Sequence, residues 1–300
     1  MRICGAGLVQ HNGWRCKLAG MDLHVLALVL LAAAAHAGWN AWLKDSGDKL
    51  SSMAALAMGW LIVGCISVPI VGFPSIVSWP YLLATTVVHT SYAILLISAY
   101  RHAEFSLAYP IARGTGPLLV AFAAPLVVSE HLEGPSFFAV TLIVIGILLI
   151  GAFGNERNLG GRRAILFSLA TGVLIAAYTI IDGQGARSGS SPHAYAGWLF
   201  ILIAIPIIML ARWKLQKASV KSLLAGHWQR GVPVGVLSAL AYWVIVWAMS
   251  VAPMALVAAA RETSILFGAL VSWGVLGEKL RLLRWVGIVV TLAGLVLAKL

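Results

Sequence analysis

The chain has 300 residues, of which 61% are hydrophobic and 10% charged, with a formal net charge of +11 and a mean hydropathy of +0.94. A soluble globular fold must cover its surface with polar groups, so this composition excludes one at this length and calls for lipid as the solvent. The basic excess then reads as topological, because Lys and Arg mark the cytoplasmic side of membrane proteins, and not as a nucleic-acid footprint. Cys4, Cys16 and Cys65 have no metal spacing and imply no disulfide framework.

Residues 1–20 are polar and lack the apolar stretch and cleavage site of a signal peptide. They are expected to be a disordered tail, with translation starting at Met21 directly before the first apolar run. From there the sequence predicts ten membrane spans, at roughly 22–43, 51–73, 79–99, 105–128, 134–153, 163–182, 195–211, 231–250, 254–276 and 283–299. Each is close to the ~20 apolar residues that cross a bilayer, and each is apolar all round. Gly, Pro and charged residues punctuate the breaks, and nothing between them is long enough for a soluble domain.

A shift of 148 positions carries Arg113 onto Arg261, Thr115 onto Thr263, Glu130 onto Glu278, Leu132 onto Leu280 and Gly146 onto Gly294. The expected organisation is therefore a tail over 1–21 and two five-helix repeats, 22–155 and 156–300. An odd number of spans per repeat inverts the second half relative to the first, the architecture of many secondary transporters with a site between the repeats.

Loop charges bear on orientation. With a cytoplasmic N-terminus the inside loops would hold Arg2, Arg15, Lys17, Arg187 and Lys299, and the opposite loops fourteen basic residues, including Lys44, Lys49, Arg157, Arg162, Arg163, Lys214, Lys217, Lys221 and Arg284. The positive-inside rule thus places both termini outside.

Ionisable residues inside spans are costly, so they usually face a cavity or a partner. Arg113 and Arg261 lie deep in the fourth and ninth spans. Arg113 sits between Pro110 and Pro117, with Gly114 and Gly116, where a break or kink in the helix is expected. Arg261 precedes Glu262, Thr263 and Ser264. One reading gives the arginines an anionic group to bind, since a guanidinium fork suits carboxylate and phosphate. The other pairs them internally. Neighbours leave a helix ~100° apart, so Glu262 is expected to reach another helix and not Arg261, as a proton or cation site or as an ion pair.

His36 and Asn40 share a face of the first span, His89 lies in the third, and either histidine could carry protons. Asp182 ends the sixth predicted span, where it is interfacial or at a cavity mouth. Trp39, Tyr92, Tyr109, Tyr178, Tyr242, Trp243 and Trp247 offer aromatic lining, and Glu130 and Glu278 read as caps at span ends. No Ser/His/Asp array, P-loop, HExxH or nucleotide fingerprint occurs, so neither catalysis nor ATP-driven transport is expected.

The runs His36-Ala37-Gly38-Trp39-Asn40-Ala41, Tyr109-Pro110-Ile111-Ala112-Arg113-Gly114, Ala177-Tyr178-Thr179-Ile180-Ile181-Asp182-Gly183 and Arg261-Glu262-Thr263-Ser264 before Gly277-Glu278 resemble the EamA-type branch of the drug/metabolite transporter superfamily. The resemblance spans residues 22–300 and implies a secondary transporter, often an exporter, with both termini in the cytoplasm.

The expected function is ion-gradient-driven or passive transport of a small anionic or zwitterionic metabolite across the inner membrane. Arg113, Arg261, Glu262, Tyr109, Thr263, Asn40 and Trp39 are the candidate binding residues, and His36, His89, Glu262 and Asp182 the candidate proton-coupling groups. Export of cationic amphiphiles is the alternative; a membrane enzyme or sensor lacks a catalytic cluster or a partner domain. The expected partners are the small-molecule substrate and lipid, not nucleic acid. Homodimerisation is left open, and no cofactor or metal is implied.

Overall fold

Buried backbone groups have no water to bond in lipid, which leaves a chain of this hydropathy the helix or the closed barrel. In the computed structural model, which describes residues 21–102, 105–128, 130, 134–152, 162–216, 219–274 and 281–299, the described elements are all helical. The first half comprises α1 (Leu23–Asp45), α2 (Lys49–Val71), α3 (Trp79–His102), α4 (Phe105–Val127) and α5 (Gly134–Ala152). The second comprises α6 (Arg162–Ser188), α7 (Pro192–Lys214), a short α8 (Val220–Leu224), α9 (Trp228–Val251), a ninth span in two pieces, α10 (Met254–Glu262) and α11 (Ser264–Gly274), and α12 (Leu282–Leu297). A helix of 23 residues such as α2 is about 34 Å long, enough for a ~30 Å hydrocarbon core.

Local chemistry sets the ends. Asp48 caps α2 by accepting from the Leu50 and Ser51 amides at 3.1 and 3.3 Å and from the Ser51 hydroxyl at 2.6 Å. Burial pushes its carboxyl upward, but these hydrogen bonds outweigh it and hold the group below its ordinary value. Gly72 ends α2 at φ +75°, a region glycine enters without a Cβ clash, and Pro74 follows. Ser191 caps α7 through the Ala194 amide, with Pro192 opening the helix. Large apolar side chains such as Leu126 (87% exposed), Ile70 (81%) and Val296 (70%) stand on the outer surface, which only lipid can cover.

The packing obeys a two-fold rule. Three helices lie against their own counterparts, α2 on α7, α4 on α10 and α5 on α12. Three further contacts have repeat-related counterparts: α4–α6 with α1–α10/α11, α3–α6 with α1–α9, and α2–α9 with α3–α7. The direction of the axis follows from register. In α5–α12, Gly294 meets Ala139 and Ile143 while Gly287 meets Ile150, so the helices are antiparallel. In α2–α7, Gly64 meets Ile201 while Gly197 meets Ser67 and Val71, again antiparallel. An axis along the membrane normal would make counterparts parallel. The axis therefore lies in the membrane plane, and the ten spans are two inverted five-helix repeats.

The 148-residue offset is visible in the contacts themselves. Gly146 meets Gly287 and Thr291; Gly294, 148 positions later, meets Ala139 and Ile143, which precede Gly287 and Thr291 by the same 148. A Cβ on Gly146 would stand 2.6 Å from the Gly287 oxygen, and one on Gly294 3.0 Å from the Ala139 oxygen, so these helices touch backbone to backbone.

Two local expectations are corrected. Helix α4 runs unbroken through Pro110–Pro117. Its glycines serve close packing: a Cβ at Gly114 would come within 2.9 Å of Leu148, and at Gly116 within 2.6 Å of Ile175, so helices press on α4 from two sides. The break falls instead in its counterpart, at Thr263, where ψ is −6° and the amide bonds back to Ala260 at 3.2 Å. Likewise α6 does not end at Asp182 but continues to Ser188. Gly183 and Gly185, which read as a loop, are helical positions that admit Met254 of α10 and the Tyr195 ring of α7.

Candidate functional site

The antiparallel crossing of α4 and α10 brings the two repeat-related arginines to one place. Each lies about two turns from the start of its helix, and those starts are at opposite ends of the bundle, so both meet near mid-depth. Arg113 and Arg261 are 2% and 1% exposed. Between them lies the carboxylate of Glu262, fully buried. Arg261 donates from Nε and Nη2 to Glu262 Oε1 at 3.2 and 2.9 Å. Arg113 Nε forms an ion pair with Glu262 Oε2 across the α4–α10 contact, and Arg113 Nη2 donates to the Ser264 hydroxyl at 3.3 Å.

Glu262 thus reaches another helix and its own neighbour as well. The neighbour bridge was disfavoured on helical geometry. It forms because Glu262 is the last residue of α10 and the long arginine side chain doubles back onto it. The result is two guanidiniums sharing one carboxylate in a buried core. Its formal charge is +1, and both arginines are held in place by the same group.

The surroundings come from α6 and α1. The Tyr178 ring of α6 lies under Arg261, with the guanidinium carbon 5.5 Å from its centroid, the geometry of a cation–π contact. On the α1 side His36 stands within electrostatic reach of both arginines. Trp39 Nε1 donates to His36 Nδ1 at 2.9 Å, and His36 Nε2 is buried without a hydrogen-bond partner. Trp39 therefore orients His36. Asn40 donates from Nδ2 to the His36 carbonyl at 2.9 Å and serves its own helix. Thr263 turns its hydroxyl to the Ala260 carbonyl at 2.6 Å, bracing the break, so it is Ser264 that meets Arg113.

A second polar centre lies one helical turn along α6. Asp182 is fully buried inside the bundle. Its Oδ1 accepts from the Tyr195 hydroxyl at 2.9 Å, and its Oδ2 from the Tyr242 hydroxyl at 2.6 Å, with His89 Nε2 also at 3.1 Å. The His89 ring stacks on Tyr178 at 4.3 Å, so a single aromatic ring separates the carboxylate centre from the arginine centre. Tyr92 and Tyr242 pack edge-on against the same ring at 5.6 and 6.2 Å.

Glu130 has a structural position. Oε1 accepts from the Met254 amide at 2.7 Å, capping α10 of the other half, and Oε2 binds Arg187. Arg187 in turn donates to the Met249 and Ala252 carbonyls at 2.7 and 2.8 Å, closing the end of α9. Trp243 lies away from both centres and bonds His193. The Tyr109 side chain and Glu278 lie outside the described residues.

Sequence reasoning did not place Ser264, Tyr195 or the two tyrosine bonds to Asp182. Ser264 stood beside Arg261 and could have been weighed equally with Thr263; Tyr195 sits at a predicted span end and carries no signal of its own.

The sequence profile of the EamA-like transporter family matches twice, over residues 24–152 and 162–300. The chain belongs to that family. It is therefore a multi-pass membrane transporter of small molecules, with one family repeat in each inverted half. No curated protein matches the chain significantly. Among solved structures, one described as "Crystal structure of protein" superposes with a TM-score of 0.74 at 14% identity, covering 92% of this chain and 98% of its own. At that identity the likeness concerns the fold alone.

Proposed function

We propose that this chain is a secondary transporter of the inner membrane that carries a small metabolite with a carboxylate or phosphate group, anionic or zwitterionic overall, and that Arg113 and Arg261 bind that group. One observation carries the reading: two buried guanidiniums share the single carboxylate of Glu262 at the contact between the halves. That arrangement carries a formal charge of +1, which favours a second anion. The cargo's anionic group takes over one arginine while Glu262 keeps the other, so no buried charge is left bare at any stage. Leaving a buried charge unpaired costs roughly 3–5 kcal/mol, which is why a site built this way exchanges partners and does not simply open.

Inverted repeats allow the exposed side to alternate by rocking one half against the other about a fixed site. Without a nucleotide-binding motif, an ion gradient or the cargo gradient drives the flux. Cationic amphiphiles would need a free carboxylate, and Glu262 is already shared by two cations.

Uptake of a panel of labelled amino acids, carboxylates and sugar phosphates into proteoliposomes tests the proposal. Loss of one charge-assisted donor in Arg261→Ala should weaken binding about ten- to a hundredfold, corresponding to ~1.5–3 kcal/mol. Arg261→Lys, which keeps the charge but not the fork, should fall between. Wild-type rate and affinity in a folded Arg113→Ala, Arg261→Ala double variant would refute the assignment.

A further inference from the structure

We infer that His89, paired with Asp182, carries one proton with each singly charged anion, making transport electroneutral. The inference rests on the anion reading above and adds the identity and stoichiometry of the coupling ion. It starts from charge. Among the described residues buried between the halves, Arg113 and Arg261 are balanced by Glu262 and Asp182, and the Glu130–Arg187 pair cancels itself. The closed core is neutral while its histidines are neutral. Bringing a monoanion to the arginines leaves an uncompensated negative charge in a low-dielectric interior, which is strongly unfavourable. One proton restores neutrality.

Geometry selects where it goes. Tyr178 and Asp182 of α6, His89 and Tyr92 of α3, Tyr195 of α7 and Tyr242 of α9 are the titratable groups around this centre, with Arg261 and Glu262 of α10 beyond the Tyr178 ring and Arg113 of α4 behind them. Asp182 is fully enclosed and already accepts two hydroxyls, whereas the His89 side chain is 10% exposed. His89 is thus the member that protons can reach, and Asp182 is the fixed counter-charge that holds an imidazolium once formed. The proton adds to the imidazole ring and leaves from it on the other side of the membrane; no bond other than N–H forms or breaks. Stacking on Tyr178, which also lies under Arg261, places this charge one ring away from the cargo site.

The test uses purified full-length protein in proteoliposomes loaded with a pH-sensitive dye, with labelled pyruvate, L-glutamate and L-alanine as probes. For whichever monoanion is carried, a gradient of one pH unit should support roughly tenfold accumulation with one proton entering per molecule. A potential of 100 mV, worth ~2.3 kcal/mol per charge, should have no effect on that accumulation. Zwitterionic alanine, if carried, should bring no proton. His89→Gln should lose the accumulation but retain cargo exchange at a tenth or more of the wild-type rate, which also reports that it folds; Asp182→Asn is the second variant, read the same way. Accumulation by His89→Gln equal to wild type, or driven by the potential, overturns the proton site while exchange that still depends on Arg113 and Arg261 leaves the anion reading standing. Transport of no anion, or anion transport indifferent to both arginines, overturns the anion reading and this inference with it.

Discussion

The carboxylate of Glu262 is the residue on which the centre turns. It has two cationic partners and no solvent. Replacing it by glutamine leaves two guanidiniums facing each other in a buried core, so Glu262→Gln should lower stability in detergent by about 3–5 kcal/mol. Adding Arg113→Gln should recover part of that loss, because it removes one of the stranded charges. A thermal-unfolding midpoint for Glu262→Gln equal to wild type would show the pair to be dispensable. The two arginines and Glu262 were legible in the sequence because charges in apolar runs are conspicuous. The depth of Asp182 was not: the glycines after it imitate a loop, and only the neighbours Met254 and Tyr195 show that they are packing positions in a continuing helix.

At the level of elements, α5 and α12 form the most intimate pair, and the reciprocity of their contacts makes a quantitative demand. Gly146 and Gly294 do equivalent work in equivalent surroundings. Gly146→Ala and Gly294→Ala should each force the helices apart and cost roughly 1–3 kcal/mol, by similar amounts. Thermal stability of the two purified variants, compared side by side, checks this; one costly and one neutral substitution would show that the equivalence does not extend to energetics. Hydrophobic runs made these helices legible, since a spanning segment announces itself by length and apolarity. The broken helix was not legible, because prolines point to α4 and the break lies in its counterpart. Helix α4 stays continuous between α5 and α6, while the break at Thr263 contains neither proline nor glycine and depends on a hydroxyl–carbonyl bond that composition does not reveal.

For the molecule as a whole, the loop charges make a sided prediction. The end of α7 carries Arg212 and Lys214, α8 carries Lys221, the start of α9 carries Arg230, and the start of α12 carries Arg281 and Arg284, all on one face. On the opposite face Arg187 is turned inward to Glu130 and two carbonyls, so it offers little to an anionic lipid surface. We expect the first face to be cytoplasmic and both termini to be outside. In a background with Cys4, Cys16 and Cys65 changed to serine, Lys221→Cys should resist a membrane-impermeant maleimide in intact cells and react once they are permeabilised. Strong labelling of intact cells would reverse the orientation.

The shared carboxylate also governs what an unloaded carrier can do. Had the two arginines stood bare whenever cargo left, the empty protein would be trapped facing one way, and traffic would proceed only as swap of one cargo molecule for another. Glu262 fills the vacancy from within. The return journey without cargo then carries no stranded charge, and the protein can move cargo in net amount, not merely act as a turnstile that trades like for like.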